Sequence, residues 1–218
     1  MYVADEGGIV VRDLQSGREV TLGGARKTGI IWGAEFSPDG KHVAALPEKG
    51  DVLVWRVDRP TRPEYSLKGH RGRPQELAYG PDGRLVTAGA DRTVRVWDPG
   101  GGLAVVMRGH DDEVTTAVFT ADGSKVLSSS KDGTLRLWNS RTGAALAVLQ
   151  SGEGVVADVA LSRDGKIATL SKNTVVQVFE CKVCGSLADV RALARSQRPR
   201  QLTADEQRRF LAAADEGR

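Results

Sequence analysis

Four polar side chains recur at matching positions in two stretches of the chain. In both copies the hydroxyl residue lies four positions before an aspartate, and a tryptophan lies six positions after that aspartate. The two sets are His70, Thr87, Asp91 and Trp97, and His110, Ser128, Asp132 and Trp138. A hydroxyl, an imidazole and a carboxylate are also the residue types of a hydrolytic triad. The spacing therefore has two interpretations, one catalytic and one structural.

The structural interpretation is favoured over the hydrolytic one. The set occurs twice, each copy ends on a tryptophan that a triad does not need, and the sequence indicates no oxyanion hole. A tryptophan N–H only donates, an ionised aspartate only accepts, and a hydroxyl or an imidazole can do both. The four side chains can therefore form one buried chain of hydrogen bonds, which would stiffen the segment that contains them. We predict no catalytic residue and no enzymatic activity.

The segment around the second set reads as β-structure. It contains three runs of alternating residues, namely Val114–Phe119, Lys125–Ser129 and Thr134–Trp138. Asp122-Gly123 and Asp132-Gly133 separate the runs, and an Asp-Gly pair between two such runs favours a tight hairpin turn. The stretch 109–139 is therefore predicted to be a three-stranded antiparallel meander.

The same pattern repeats along the chain with one period. The turn aspartates Asp39, Asp82, Asp122 and Asp164 are 43, 40 and 42 residues apart. The ends of the third strands recur at intervals of 43, 42, 41 and 41 residues, starting from Arg12-Asp13. A period of about 40–45 residues with several short strands in each unit is typical of propeller blades. An all-β propeller is therefore the predicted fold.

The best-formed unit resembles one repeat of the WD40 family. Its matching residues are Gly109-His110, Ser128, Asp132 and Trp138, with Asn139 where the family usually has aspartate. Two other units lack the polar set and carry Ala45, Lys49 and Trp55, and Thr169, Asn173 and Phe179, at the matching positions. We expect irregular inner packing in those two units.

The resemblance implies a WD40 β-propeller with four to five blades over residues 1–180. The predicted blades are 1–23, which is partial, 24–68, 69–108, 109–149, and 150–180, which lacks an outer strand. Seven units of this period would need roughly 290 residues. We therefore expect the chain to be the C-terminal portion of a seven-bladed ring, or to close with a partner chain, because an open blade invites aggregation. A five-bladed closure, in which Arg18–Leu22 and its neighbours adapt, is the less favoured alternative.

Residues 181–218 are predicted to form a tail of two short helices. Ser186 with Asp189, and Thr203 with Glu206, are at the spacing of capping-box pairs. The tail resembles the C-terminus of bacterial STAND-type and related WD40 signalling regulators, in which a propeller follows an effector and nucleotide-binding module. The chain has no P-loop motif. Any such module is expected in upstream sequence or in another chain.

Metals, cofactors, nucleic acid and membranes are not indicated as partners. Cys181 and Cys184 form a lone CxxC pair, whereas a structural zinc site needs four ligands. The 31 basic and 28 acidic residues are interspersed and give a net charge of +3, without a basic stripe. No apolar run reaches the roughly 18 residues of a membrane span. Two cysteines in 218 residues favour a reducing, cytoplasmic location.

We interpret the chain as a non-enzymatic protein-interaction or sensor module of a bacterial regulatory protein. Loops on a rigid scaffold usually hold function, so the face formed by the turns before the first strands and between the second and third strands is the expected binding face. The predicted contacts there are Trp32, Glu48, Arg73, Gln75, Glu113, Thr115, Lys131 and Lys172. Two alternatives remain: a half-propeller that closes by oligomerisation, and a propeller hydrolase.

Overall fold

The computed structural model describes residues 2–4, 8–24, 29–150, 155–161, 166–171 and 176–180. All regular secondary structure in this part of the chain is β-strand. The all-β prediction is therefore confirmed. The predicted helices and the cysteine pair at 181–218 lie outside the described residues, so the division between propeller and tail stays a prediction.

The strands form five antiparallel meanders in which neighbours in sequence are neighbours in the sheet. The first sheet contains β1 (Tyr2–Ala4), β2 (Gly8–Arg12) and β3 (Glu19–Leu22). The second contains β4 (Ile31–Phe36), β5 (His42–Pro47), β6 (Val52–Arg56) and β7 (Tyr65–Leu67). The third contains β8 (Pro74–Tyr79), β9 (Leu85–Gly89), β10 (Thr93–Trp97) and β11 (Leu103–Arg108). The fourth contains β12 (Val114–Phe119), β13 (Lys125–Ser130), β14 (Thr134–Asn139) and β15 (Ala145–Gln150). The fifth contains β16 (Val156–Leu161), β17 (Lys166–Ser171) and β18 (Val176–Glu180).

The turn between the first two strands of a four-stranded sheet shows why aspartate and glycine recur there. In the fourth sheet the Thr120 hydroxyl donates to Asp122 Oδ1 at 2.6 Å, and the Gly123 amide donates to the Thr120 carbonyl at 2.8 Å. Gly123 has φ of 68°, a left-handed conformation that glycine adopts without steric cost. The side chain of aspartate and the missing Cβ of glycine thus close the turn together.

A β-bulge interrupts the first strand of each of the last four sheets at the same place. The pairing register shifts between Ile31 and Gly33, and in the same way at the starts of β8, β12 and β16. The residues inside the bulges are Trp32, Gln75, Thr115 and Ala157. A bulged residue is not paired across the ladder, and such irregularities often redirect a side chain beside a functional site.

The hydrophobic core lies between consecutive sheets. Four apolar clusters join the first sheet to the second, the second to the third, the third to the fourth, and the fourth to the fifth. Three tryptophans are at most 1% exposed, namely Trp55, Trp97 and Trp138. The main contacts between sheets involve the first strands β4, β8, β12 and β16, as in propeller blades that pack face to face. None of the described residues belongs to a helix long and apolar enough to cross a membrane.

Candidate functional site

The second polar set forms a continuous chain of hydrogen bonds inside the fourth sheet. His110 Nδ1 lies 2.9 Å from Asp132 Oδ2, and His110 Nε2 lies 2.8 Å from Ser128 Oγ. The Trp138 indole N–H donates to the same Ser128 oxygen at 2.8 Å. Strands β13 and β14 supply the serine and the tryptophan, whereas the segments before β12 and before β14 supply the histidine and the aspartate.

The first set repeats this geometry in the third sheet. His70 Nδ1 lies 2.9 Å from Asp91 Oδ1, His70 Nε2 lies 2.8 Å from Thr87 Oγ1, and Trp97 Nε1 donates to Thr87 Oγ1 at 2.9 Å. Since the indole can only donate and the carboxylate can only accept, the hydroxyl donates to Nε2 and the imidazole donates from Nδ1. Every member of each chain is then satisfied.

Burial and hydrogen bonding fix the protonation states of the histidine and the aspartate in each set. Burial lowers the pKa of His70 and of His110, and the hydrogen bond to the paired aspartate only partly opposes this effect. Burial by itself would raise the pKa of Asp132, but hydrogen bonds from Thr134, the Asp111 amide and His110 hold it well below its usual range. Each set therefore combines a neutral imidazole with an ionised carboxylate.

The geometry leaves these hydroxyls no access to a substrate. Thr87 and Ser128 are 0% exposed, and each already receives the indole N–H and contacts the imidazole. A catalytic nucleophile must reach a reacting atom beside an oxyanion site. These two sets consequently join strands within a sheet, and nothing in the described part of the chain favours the hydrolase alternative.

Each set has further partners that the four-residue pattern did not include. Thr134 Oγ1 donates to Asp132 Oδ1 at 2.7 Å, and Thr93 Oγ1 donates to Asp91 Oδ1 at 2.6 Å. Arg95 Nη2 also donates to Asp91 Oδ2 at 3.3 Å. A sequence signal exists for these partners, because a threonine two positions and an arginine four positions after the aspartate occur in both copies.

In the second sheet, which lacks the set, the tryptophan finds another acceptor. Ala45 occupies the position of the hydroxyl residue, and Trp55 Nε1 donates instead to the Gly23 carbonyl at 2.8 Å. The indole thereby connects the second sheet to the end of the first. In the fifth sheet Thr169 is buried, and Asn173 lies outside the described residues.

The predicted binding face contains three of the four bulged residues. Trp32 is 54% exposed, and the guanidinium carbon of Arg73 lies 4.5 Å from the centre of its ring. Ile30, which is 57% exposed, lies two residues before Trp32 and was missed in the sequence interpretation. An exposed isoleucine and tryptophan with a stacked arginine form the clearest surface feature of this face, which we call the Trp32 patch.

Three of the other predicted contacts, Gln75, Glu113 and Lys131, form a polar row that begins two residues after Arg73. Gln75 Nε2 donates to Glu113 Oε2 at 3.3 Å, and Lys131 Nζ lies 2.5 Å from the same carboxylate oxygen. The Thr115 hydroxyl is instead used within the fold, because it donates to the Val156 carbonyl at 2.9 Å. Glu48 packs against Gly29, where a Cβ would lie 2.7 Å from Glu48 Oε2. Lys172 lies outside the described residues.

The first strands also carry carboxylates that the sequence interpretation did not identify. Glu76 and Asp158 follow the bulges of β8 and β16, and the Thr116 hydroxyl donates to Asp158 Oδ1 at 2.9 Å. Burial, chiefly, raises the pKa of Glu76, and Asp158 adds to the effect. Among the described residues, no group of histidine, cysteine, aspartate and glutamate side chains has the arrangement of a metal site.

Comparisons with known proteins identify two repeats. Residues 61–98 and 101–139 match the family model of the WD domain, G-beta repeat. The chain is 31% identical over 126 residues to WD repeat and SOCS box-containing protein 1 of Danio rerio, covering 56% of the chain and 30% of that protein. It is 34% identical over 80 residues to a U4/U6 small nuclear ribonucleoprotein PRP4-like protein of Arabidopsis thaliana, covering 36% of the chain and 14% of that protein.

A bacterial relative is also found. An uncharacterized WD repeat-containing protein of Synechocystis is 33% identical over 98 residues, covering 44% of the chain and 28% of that protein. The chain thus spans less than a third of the length of these relatives. The resemblance to STAND-type regulators depended on residues 181–218, which lie beyond both matched repeats.

Proposed function

From the premise that this chain contains two WD40 repeats, we propose that it is a protein-interaction module of a regulatory protein and that it binds its partner through the Trp32 patch. WD40 repeats are generally protein-interaction modules, which agrees with this role. The chain then contributes binding and positioning, and any catalysis belongs to the partner or to another part of the protein.

The observation that carries the proposal is the exposed pair of Trp32 and Arg73. Tryptophan and arginine are the residue types that contribute most to binding energy at protein interfaces. A bulge presents Trp32 on the face, Arg73 covers one side of its ring, and Ile30 extends the apolar surface. The polar row of Gln75, Glu113 and Lys131 adds hydrogen-bonding groups that begin two residues after Arg73.

The test compares a variant of this patch with a matched control. Trp32→Ala removes the exposed ring, whereas Leu146→Ala removes a side chain of similar exposure, 51%, from the outer strand β15. Proteins cross-linked to the full chain in the source cell extract are identified by quantitative mass spectrometry and then purified for affinity measurement. We expect Trp32→Ala to weaken binding of the main partner at least about tenfold, as for interface hot spots.

The proposal fails if Trp32→Ala and Leu146→Ala retain the same partners with the same affinities. Equal affinities would show that binding uses another surface. Loss of binding by both variants together would also contradict it, because Leu146 lies on an outer strand away from the bulge.

We also propose that the module belongs to a bacterial regulator that acts in the cytoplasm. The resemblance of residues 181–218 to STAND-type regulators and the small number of cysteines support this role. The coding sequence upstream of Met1 is the direct test. A nucleotide-binding module there would support the proposal, and its absence both there and in neighbouring genes would contradict it.

Closure through a second copy of the chain is a second candidate. Its support is the fifth sheet, in which the apolar side chain of Val178 on β18 is 65% exposed. An exposed apolar side chain on a strand can be buried by association with another chain. Sedimentation velocity decides the matter: dimers or higher oligomers at micromolar concentration support closure, and a single monomeric species overturns it.

A further inference from the structure

The turn between the second and third strands of the third sheet contains an arginine in an unfavourable conformation. Arg92 has φ of 64°, and no other residue apart from glycine has positive φ in the described part of the chain. The matching turn residues of the second and fourth sheets are Gly50 and Gly133, with φ of 94° and 80°. A left-handed conformation costs an arginine free energy that a glycine does not lose. The turn itself therefore favours glycine, and such strain often marks a functional position.

Two further arginines lie on the loop beside this turn. The Arg71 amide donates to Asp91 Oδ2 at 2.9 Å, and the Ala90 amide donates to the Arg73 carbonyl at 3.0 Å. These two bonds attach the loop before β8 to the turn that contains Arg92. All three arginines are exposed, and none of them forms an ion pair with a described residue. The third sheet thus presents three cationic side chains that the described fold does not neutralise.

The matching loop of the fourth sheet carries the opposite charge. Its backbone is attached in the same way, because the Asp111 amide donates to Asp132 Oδ2 at 2.9 Å. Glu113 is paired with Lys131, whereas Asp111 and Asp112 are exposed. The residues at matching positions are Arg71, Gly72 and Arg73 in the third sheet and Asp111, Asp112 and Glu113 in the fourth. The loop conformation therefore does not determine the charge, and the binding face is basic over the third sheet and acidic over the fourth.

The basic loop borders the apolar part of the Trp32 patch. The guanidinium carbon of Arg73 lies 4.5 Å from the centre of the Trp32 ring, and Ile30 extends the apolar surface on the other side of the bulge. The Arg73 N–H groups donate to no described residue. A guanidinium can form two parallel hydrogen bonds with a carboxylate while it stacks on an aromatic ring. The surface thus combines a place for an apolar side chain with cations suited to carboxylates.

We propose that the segment bound at the Trp32 patch is a short acidic peptide in which aspartate or glutamate side chains flank a bulky apolar side chain. The apolar side chain packs on Trp32 and Ile30, and the carboxylates pair with Arg71, Arg73 and Arg92. This assignment rests on the proposed binding role of the patch and adds the chemistry of the partner. Complementary charge then selects the partner and speeds its association.

The division of charge on the face favours a short peptide over nucleic acid. A nucleic acid strand that crosses the face from the third sheet meets Asp111 and Asp112, whose charges repel its phosphates. A phosphate backbone also has no apolar group to cover Ile30. A short acidic peptide can bind the three arginines and end before the fourth sheet.

The first test selects ligands from a phage library of random short peptides with the full chain as bait. We expect the enriched peptides to carry net negative charge and a bulky apolar residue beside the carboxylates. The most enriched peptide is then synthesised with a fluorescent label, and fluorescence anisotropy gives its dissociation constant. Absence of enrichment, or enriched peptides without an excess of acidic residues, overturns the proposal.

Arg92→Gly separates binding from folding. We expect it to weaken binding of the selected peptide about threefold to fivefold, because one carboxylate loses its partner. Its melting temperature should be no lower than that of the wild type, since glycine occupies the matching turns of the second and fourth sheets. Arg141→Gly is the matched control, because Arg141 is exposed in the turn between β14 and β15, and affinity within about twofold is expected. Equal affinities of Arg92→Gly and the wild type contradict the proposal.

Two further measurements distinguish this proposal from the binding role of the patch. If Trp32→Ala weakens the partner purified from the cell extract but the double variant Arg71→Ala/Arg92→Gly does not, the patch binds a partner without acidic preference, and only the present proposal is overturned. If Trp32→Ala changes the affinity of neither the partner nor the peptide, both proposals are overturned. A single-stranded oligonucleotide that binds as tightly as the selected peptide would assign the arginines to nucleic acid and would also overturn the acidic-peptide assignment.

Discussion

The guanidinium of Arg84 in the third sheet donates a hydrogen bond to the backbone carbonyl of Gly123 in the fourth sheet, at 2.8 Å. The same side chain contacts the carbonyl and the hydroxyl of Ser140 at 3.2 and 3.1 Å, and its guanidinium carbon lies 5.1 Å from the centre of the Phe119 ring. One largely buried arginine thus connects two turns of the next sheet.

Removing this connection should weaken packing between the third and fourth sheets. We expect Arg84→Ala to lower the free energy of unfolding by about 2 kcal/mol, because several hydrogen bonds to buried carbonyls lose their donor. Arg141→Ala is the matched control, since Arg141 is exposed, and a change within about 0.5 kcal/mol is expected. Urea denaturation gives the free energy of unfolding of both variants. Equal values for Arg84→Ala and Arg141→Ala would contradict the role of Arg84 in connecting the two sheets.

Ser128 should be sensitive to loss of its oxygen but tolerant of threonine. Ser128→Ala leaves Trp138 Nε1 and His110 Nε2 buried without partners, so a loss of about 2–4 kcal/mol is expected. Ser128→Thr introduces the residue type found at the matching position of the third sheet, Thr87, whose hydroxyl accepts the same tryptophan bond. This variant should lose less than about 1 kcal/mol of unfolding free energy. Thermal unfolding distinguishes the two. A tolerated alanine would show that the hydrogen-bond chain contributes little.

Gly109 should not accept a side chain. Its φ is 147°, and a Cβ there would lie 2.6 Å from Arg136 Nη1 and 3.4 Å from the Trp138 ring. We expect Gly109→Ala to destabilise the protein by about 1–3 kcal/mol, because both the backbone and the arginine must shift. Gly100→Ala is the control, since a Cβ there meets nothing within 4 Å. Chemical denaturation measures the free energy of unfolding of both variants. An equal loss in Gly109→Ala and Gly100→Ala would contradict the steric explanation.

Stability should fall as the solution becomes mildly acidic. The pKa values of His70 and His110 are lowered in the folded state, so between the folded and unfolded values the unfolded chain binds more protons. The contribution of these two histidines to the free energy of unfolding is therefore complete above the unfolded pKa of about 6.5. This contribution is lost as the pH falls from there toward the pKa values of the folded state.

An NMR titration of the imidazole Hε1 signals measures these values directly, and midpoints below 6.5 are expected for both rings. A His110→Asn variant should show a smaller change in unfolding free energy between about pH 7 and pH 5 than the wild type. Midpoints at or above the ordinary value would contradict the lowered pKa values and the pH dependence derived from them.

Much of the architecture could be predicted because it depends on short-range chemistry. Asp122-Gly123 indicates a turn by its own conformational preferences, and alternating residues around it indicate strands. The recurrence of the pattern at intervals of 40 to 43 residues then indicates repeated sheets. The grouping of His110 with Asp132 could be inferred for the same reason, since two copies preserve one spacing.

The bulges could not be predicted in the same way. The bulged residues Trp32, Gln75 and Thr115 have no common residue type that could mark a bulge in the sequence. A register shift depends instead on how one strand pairs with the next. The sequence interpretation selected these three positions as contacts but had no means of finding what they share. Ile30 and the carboxylate of Glu76 were missed because exposure depends on neighbouring sheets.

By itself, the sequence determined the all-β class, the repeating strands, the turns and the two polar sets, because each depends on residues within one repeat. Only the tertiary structure decided which side chains meet between repeats: Arg73 with Trp32, Arg84 with Gly123, and Tyr65 with Pro99. These partners are 41, 39 and 34 residues apart, and their meeting requires both sheets to fold and pack. A cavity lined by Tyr65 and Tyr79 exists for the same reason, since its walls come from two sheets that no local preference brings together.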